Sequence, residues 1–332
     1  MMDNKKIYNN LVVSSSPHMV SATDTTRIML LVIVALIPSL CASVYIFGAR
    51  VLLLAAVCVI ASVAFEWLWN AILKKQQTVG DLSAALTGLL ISFNVPSGIP
   101  LWVPIVGCFV AIVVVKQLYG GIGKNVVNPA ITARIVLLIS FATEMTTWPL
   151  PRMAADGASS ATPLGILHGT QGAIAPGSIP DNVSMFLGHV GGSMGEVSAF
   201  ALIIGGLFLI WKKVISPIIP LCFIGTVFAF AAIYYGATGY GDPLQMGIYH
   251  IFGGGLMLGA FFMATDYVTS PMLPVGKVIF GIGCGLITML IRLFGQYPEG
   301  VSFAILLMNV LTPHIDNFSQ KLMYGGAKKN EK

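Results

Sequence analysis

The sequence predicts an all-α integral membrane protein of about ten transmembrane helices, arranged as two inverted five-helix repeats. Composition is the first ground. Of 332 residues, 56% are hydrophobic and 9% are charged, whereas soluble domains carry about 25% charged residues. So few charges cannot cover that much apolar surface in water. The second ground is the length of the apolar runs. They are long and unbroken rather than alternating ten-residue segments, which points to helices and away from a β-barrel. The third is a set of Pro- and Gly-rich interruptions that recur at matching places in the two halves. The formal charge of +5 is no nucleic-acid footprint, because most basic residues sit at the ends of apolar runs, as membrane orientation requires.

Residues 1–27 are polar and read as a cytoplasmic segment, too long before the first run for the n-region of a cleavable signal peptide. The first repeat covers 28–143, with spans predicted at 28–47, 51–73, 82–95, 101–118 and 127–143. Lys74-Lys75 closes the second of these, and Pro96, Gly98, Pro100 and Pro104 separate the third from the fourth. Residues 144–194 form a long extracytoplasmic loop. The second repeat covers 195–318, with spans at 197–211, 216–236, 246–264, 275–293 and 300–318, and residues 319–332 are a basic cytoplasmic tail. With the N-terminus inside, Lys74, Lys75, Lys116, Lys124, Lys212, Lys213 and the tail all fall inside. The long loop falls outside and holds a single Lys or Arg, Arg152, in accord with the positive-inside rule.

The duplication rests on small matches. Gly107-Cys108 precedes Lys116 as Gly283-Cys284 precedes Arg292, and Tyr119-Gly120 then corresponds to Phe294-Gly295. An odd number of spans per half forces opposite insertion. In such folds the interrupted segments, here 92–104 and 264–275, meet near the middle of the membrane and line protein or a wet cavity.

Charged groups at membrane depth are candidate functional residues. Glu66, Asp81 and Asp266 form a candidate cation path, with Lys116, Arg134 and Arg292 as candidate partners; structural ion pairs are the alternative. Asp266 reads as a cation ligand or, in preference, a helix cap. Gly120-Gly121-Ile122-Gly123-Lys124-Asn125 lacks the P-loop spacing and has no strand before it, so it reads as a tight inter-helix turn or a phosphate contact. Cys41, Cys58, Cys108, Cys222 and Cys284 contain no C-x-x-C, and the histidines show no ligand spacing, so no metal site is expected.

The stretch Asp156-Gly157-Ala158-Ser159-Ser160-Ala161-Thr162-Pro163-Leu164 is small and polar and sits in the long loop. On residue chemistry alone it is a Gly-, Ser- and Pro-rich loop whose hydroxyls are accessible to a modifying enzyme. It resembles the flavin-attachment motif of the RnfD/NqrB family of membrane electron-transport subunits. The block from Lys116 through Asn125 and Asn128 to Ala130 is similar to the same family, as are Ser16-Pro17-His18, the surroundings of Asp81, Gly195-Glu196 and Asp266 to Pro271.

The resemblance implies that a flavin transferase esterifies Thr162 with the phosphate of FMN. Asp156, Ser159, Ser160 and Ala161 would form the recognition context, with Lys116, Asn125 and Asn128 as further cofactor contacts. Ser160 departs from the glycine usual at its position and offers a competing hydroxyl. The resemblance leaves room for a second, non-covalent flavin such as riboflavin. It further implies other Rnf-type subunits as partners, a prokaryotic inner membrane as the location, and electron relay between ferredoxin and NAD coupled to Na⁺ or H⁺ transport. Without the Thr162 motif, the same architecture would suit a channel or transporter for a small polar solute, or a flavin-free scaffold.

Overall fold

The computed structural model describes residues 24–149, 162–169, 182–188, 190–196 and 198–325. Ser16-Pro17-His18, Arg152, Asp156, Ser159, Ser160, Ala161 and Lys328-Lys329 lie outside the described residues. The described residues are helices and turns, with no strand among them.

In chain order the helices are α1 (Thr25–Phe47), α2 (Arg50–Ile72), α3 (Ser83–Phe93), α4 (Trp102–Phe109, continuing as a π-helix over Val110–Gln117), α5 (Pro129–Ser140), α6 (Ala142–Thr146), α7 (Pro163–Gly169), α8 (Asn182–Leu187) and α9 (Ala199–Trp211). There follow α10 (Ile218–Thr238), α11 (Pro243–Phe252), α12 (Leu256–Leu258, continuing as a π-helix over Gly259–Met263), α13 (Pro274–Phe294) and α14 (Val301–Tyr324).

Among the described residues, four helices, α1, α2, α10 and α13, are long and apolar enough to cross a membrane unaided. The pair α11–α12, bent by 66°, makes a fifth if counted as one span. The sequence reads 246–264 as one continuous helix; the structure breaks it at Gly253-Gly254-Gly255, where the φ of Gly254 is +69°. Helix α3 is also short. At 1.5 Å per residue its 11 residues reach about 17 Å, roughly half of a hydrocarbon core.

A helix that stops at such depth leaves carbonyls that lipid cannot satisfy. Here they are satisfied by chain from the far half. Gly195 N–H donates to Phe93 O at 2.8 Å and Met194 N–H to Val95 O at 3.4 Å. The Ser43 hydroxyl of α1 in turn donates to Met194 O at 2.6 Å. Residues 94–97, the non-helical stretch after α3, are buried.

Helices α1 and α9 pack along each other, as do α5 and α14, while α3 lies against α2 and α11 against α10. Local chemistry sets the helix starts. Asn128 caps α5, accepting from Ala130 N–H at 3.0 Å with Pro129 at the first turn; Asp242 caps α11 beside Pro243 in the same way. The α1–α9 contact is close enough that a Cβ at Gly205 would overlap the Ala35 carbonyl, whereas a Cβ at Gly225 of α10 would meet nothing within 4 Å.

Overpacking of this kind costs about 1–3 kcal/mol. Gly205→Ala is therefore expected to lower the unfolding midpoint of the detergent-solubilised protein. Gly225→Ala, which only adds helix propensity worth up to about 1 kcal/mol, is expected to leave it unchanged or raised. Circular-dichroism melts of the two variants check the pair.

Candidate functional site

The described members of the sequence-derived site lie at or beside two separate cavities. The first is a cleft of about 540 Å³ lined by Arg134, Met145, Trp148, Thr162, Tyr297 and Glu299, among others. Thr162 caps the short helix α7: its Oγ1 accepts from Gly165 N–H at 3.0 Å, and its carbonyl accepts from Ile166 N–H at 2.9 Å. Two further contacts hold α7 down. Tyr249 of α11 donates its hydroxyl to Pro163 O at 3.0 Å. Leu164 is buried against the α11–α12 break, where a Cβ on Gly254 would come within 2.6 Å of its Cδ1.

Thr162 itself is 6% exposed. The sequence suggests an accessible loop hydroxyl; the structure replaces this with a buried residue that lines the cleft. The cause is the apolar Leu164 next to it, which draws the threonine in as it packs.

The floor of this cleft is polar. Arg134 of α5 donates from Nη1 to Asn94 Oδ1 at 2.9 Å and from Nη2 to Glu196 Oε1 at 3.0 Å. The same Nη2 also meets Glu299 Oε2, in the turn between α13 and α14. Asn94 ends α3 and Glu196 lies just before α9, so one guanidinium ties three chain segments together. Arg292 of α13 does comparable work at the other break, donating to His250 O at 2.6 Å and Gly253 O at 2.9 Å. A cation at the carbonyl end of a helix is favoured by the helix dipole and fills bonds the helix leaves open.

The second cavity, about 100 Å³, is lined by Ser83, Lys116, Asn125, Asn128, Pro129 and Asp266, among others. Lys116 Nζ pairs with Glu66 Oε1 at 2.9 Å and with the Ser83 hydroxyl at 2.5 Å. Glu66 Oε1 also accepts from Gln117 Nε2 at 2.9 Å and the Thr78 hydroxyl at 2.8 Å. Asp81 Oδ1 accepts from Ser83 N–H at 2.9 Å and the Ser83 hydroxyl at 2.5 Å. Asp81, Ser83, Lys116 and Glu66 thus form one connected buried-to-surface network. Asn128 Nδ2 reaches Met263 O at 3.2 Å, and Asn125 Nδ2 reaches Val127 O at 3.1 Å. The glycine loop before them is a turn, with positive φ at Gly120, Gly121 and Gly123.

Several expectations change at this point. Lys116, Asn125 and Asn128 do not line the cavity of Thr162, so the expected cofactor set divides between two places. Arg134 and Arg292 are not partners of Glu66, Asp81 or Asp266; one holds Glu196 and Glu299, the other backbone carbonyls. Asp266 caps no helix. It accepts from the Thr269 hydroxyl at 3.0 Å and closes a turn with Ser270 N–H, ahead of α13. The residues missed were Asn94 and Glu299, with Glu196 noted only as part of a motif. Glu299 sits in an ordinary Pro298-Glu299-Gly300 turn signal, and only the fold turns its side chain inward.

Residues 12–325 match the family described as NQR2, RnfD, RnfE. The chain is 47% identical over 321 residues to the D subunit of the Na⁺-translocating ferredoxin:NAD⁺ oxidoreductase complex of Acetobacterium woodii, covering 96% of each chain. It is 42% identical over 331 residues to the D subunit of the proton-translocating ferredoxin:NAD⁺ oxidoreductase complex of Clostridium ljungdahlii, covering 96% of this chain and 97% of the relative. It is 39% identical over 332 residues to the D subunit of the ion-translocating oxidoreductase complex of Stutzerimonas stutzeri, covering 91% and 93%.

Removing one member of a buried pair strands the other charge, at a cost of about 3–5 kcal/mol. Glu66 is fully buried, so Lys116→Met is expected to destabilise the protein by an amount in that range. Adding Glu66→Gln to the same variant is expected to restore much of the loss. Unfolding midpoints of the wild type, both single variants and the double variant measure the coupling.

Proposed function

The chain belongs to the NQR2, RnfD, RnfE family, and on that footing we propose that it is the membrane subunit of an Rnf-type complex. In this reading it carries FMN on Thr162 and relays electrons between ferredoxin and NAD, with coupled translocation of Na⁺ or H⁺. It is one subunit of that oxidoreductase and is not catalytic alone; the other Rnf-type subunits are its partners, and a flavin transferase matures it.

The single observation that carries the reading is the position of Thr162. Its hydroxyl opens onto the cleft of about 540 Å³, in a loop that matches a flavin-attachment motif. The lining suits a flavin. Trp148 and Tyr297 offer aromatic faces, Leu138 and Met145 an apolar wall, and Thr146, Thr147 and Gln296 polar edges. Arg134, paired with Glu299, gives the same wall a polar floor. Thr162 would supply the ester oxygen and keep its cap bond to Gly165 N–H, since the oxygen there acts only as acceptor. When bound, FMN supplies a centre that takes up one or two electrons. The chain's own part is to hold that group, limit water at its apolar side and set the charge around it. The buried Leu164 and the Tyr249–Pro163 bond fix where the tether begins.

Two inverted repeats of about five spans each, as the sequence suggests, would suit the ion-moving half of this reading. The first helices of the halves, α1 and α9, pack together, and so do the last, α5 and α14. The third helix of each half, α3 and α11, ends at a non-helical break beside an arginine-bound polar group. Both termini would be cytoplasmic and Thr162 extracytoplasmic, as the distribution of Lys and Arg favours. Asp266, which lines the second cavity, and Glu66 and Asp81, bonded to its Lys116 and Ser83, remain the candidate cation path.

Expression with an active flavin transferase is expected to give a fluorescent band for the wild type on a denaturing gel and none for Thr162→Ala. Intact mass is expected to show one added FMN phosphoryl group on the wild type alone. Fluorescence that survives in the variant would move the attachment, with Ser160 the next candidate. A bare-chain mass despite an active transferase would remove the electron-carrier reading in favour of a solute channel or a scaffold.

A further inference from the structure

Two carboxylates converge on one nitrogen at the floor of the Thr162 cleft. Glu196 Oε1 lies 3.0 Å from Arg134 Nη2, and Glu299 Oε2 contacts that same Nη2. The other arm of the guanidinium, Nη1, is committed to the neutral amide oxygen of Asn94. Among the described residues Arg292 is the other cation nearby, but both its terminal nitrogens are bound to backbone carbonyls. Glu299 Oε1 is buried and has no hydrogen-bond partner among the described residues. Glu196 Oε2 has only a long contact, 3.5 Å from Ser193 N–H.

Buried carboxylates that share a site do not both ionise readily, because low local polarity magnifies their repulsion. A single bound proton relieves this at once, and it gives the unpartnered oxygen a hydrogen to donate. We propose that Glu196 and Glu299 form a proton-binding carboxyl pair, braced by Arg134, that exchanges one proton with water in the Thr162 cleft. In the exchange an O–H bond forms on a carboxylate oxygen, the proton comes from cleft water, and it returns there on release. Glu299 is the member with access: its side chain is 16% exposed and lines the cleft, whereas that of Glu196 is 5% exposed.

The groups facing Glu299 are Arg134 from α5, Glu196 from the segment before α9, and Arg292 from the end of α13. Burial pushes the Glu299 carboxyl from its ordinary 4.5 up to about 7; Arg134 pulls it down and Glu196 pushes it up again. The folded chain then holds a proton that the unfolded chain has already released. Stability attributable to the pair therefore falls as pH rises from 4.5 to about 7 and is level above that. Negative charge entering the cleft tightens the hold on the proton, so the pair acts as a local store of compensating charge. The inference concerns the chain's own carboxyls and stands whether or not Thr162 carries a flavin.

The test is an infrared pH titration of the full-length protein in detergent, read at the protonated-carboxyl stretch. It is run on the wild type, on Thr162→Ala to remove any tethered group, and on Glu196→Gln and Glu299→Gln. A band that titrates near 7, persists in Thr162→Ala and is lost in each glutamine variant is the expected result. Carbon-13 glutamate labelling of the wild type is expected to shift the band, which marks it as a glutamate carboxyl without any variant that could misfold. Three results would overturn the proposal: no such band in folded wild type at mildly acidic pH, a band unmoved by the label, or a band that survives in either glutamine variant. Displacement of the band by Na⁺ at fixed pH would also overturn it, in favour of a metal-cation site.

Discussion

Backbone that leaves the helix inside a membrane must find hydrogen-bond partners within the protein, and the central architecture here follows from that requirement. Helix α3 ends at Phe93 in buried surroundings, and its free carbonyls are met by Gly195 and Met194 from the opposite half of the chain. Helix α11 ends at Phe252, and Arg292 reaches the carbonyls of His250 and Gly253 there. Arg134 fixes the first of these breaks through Asn94 and ties it to Glu196 and Glu299. Loss of that guanidinium would leave two buried carboxylates and the end of a half-helix without their shared partner.

The same constraint positions Thr162. Gly253-Gly254-Gly255 turns the chain sharply between α11 and α12, and the absence of side chains lets Leu164 settle against the turn. Tyr249, one turn earlier on α11, reaches back to Pro163 O. Thr162 is thereby held over the Arg134 cluster, although nothing local to its own stretch dictates the contact. An electron-carrying group tethered at this point would sense the charge of the chain breaks beneath it, which offers a physical route from redox state to the arrangement of the two halves.

The network at Lys116 is built differently. Glu66 comes from α2, Ser83 from the start of α3 and Lys116 from the π-helical end of α4. The wider π-turn rotates Lys116 relative to a regular helix, and such turns are frequent at functional sites. Each charge is paired or capped, so the network is a stable mount for those three helices as well as the wall of the smaller cavity.

Composition and run length alone required a helical membrane protein, because so apolar a chain has no other way to satisfy its backbone and cover its surface. The break at Pro96 to Pro104 was legible for a similar reason: proline and glycine act locally. Charge pairing was not legible. Arg134 finds Glu196 and Glu299, 62 and 165 residues away, and no spacing rule connects positions so distant in sequence. The division of Lys116, Asn125 and Asn128 from Thr162 between two cavities, and the burial of Thr162, were decided in the same way, by which helices pack on which. Local sequence set where the chain is helical and where it breaks; tertiary packing alone chose which breaks meet and which charges share them.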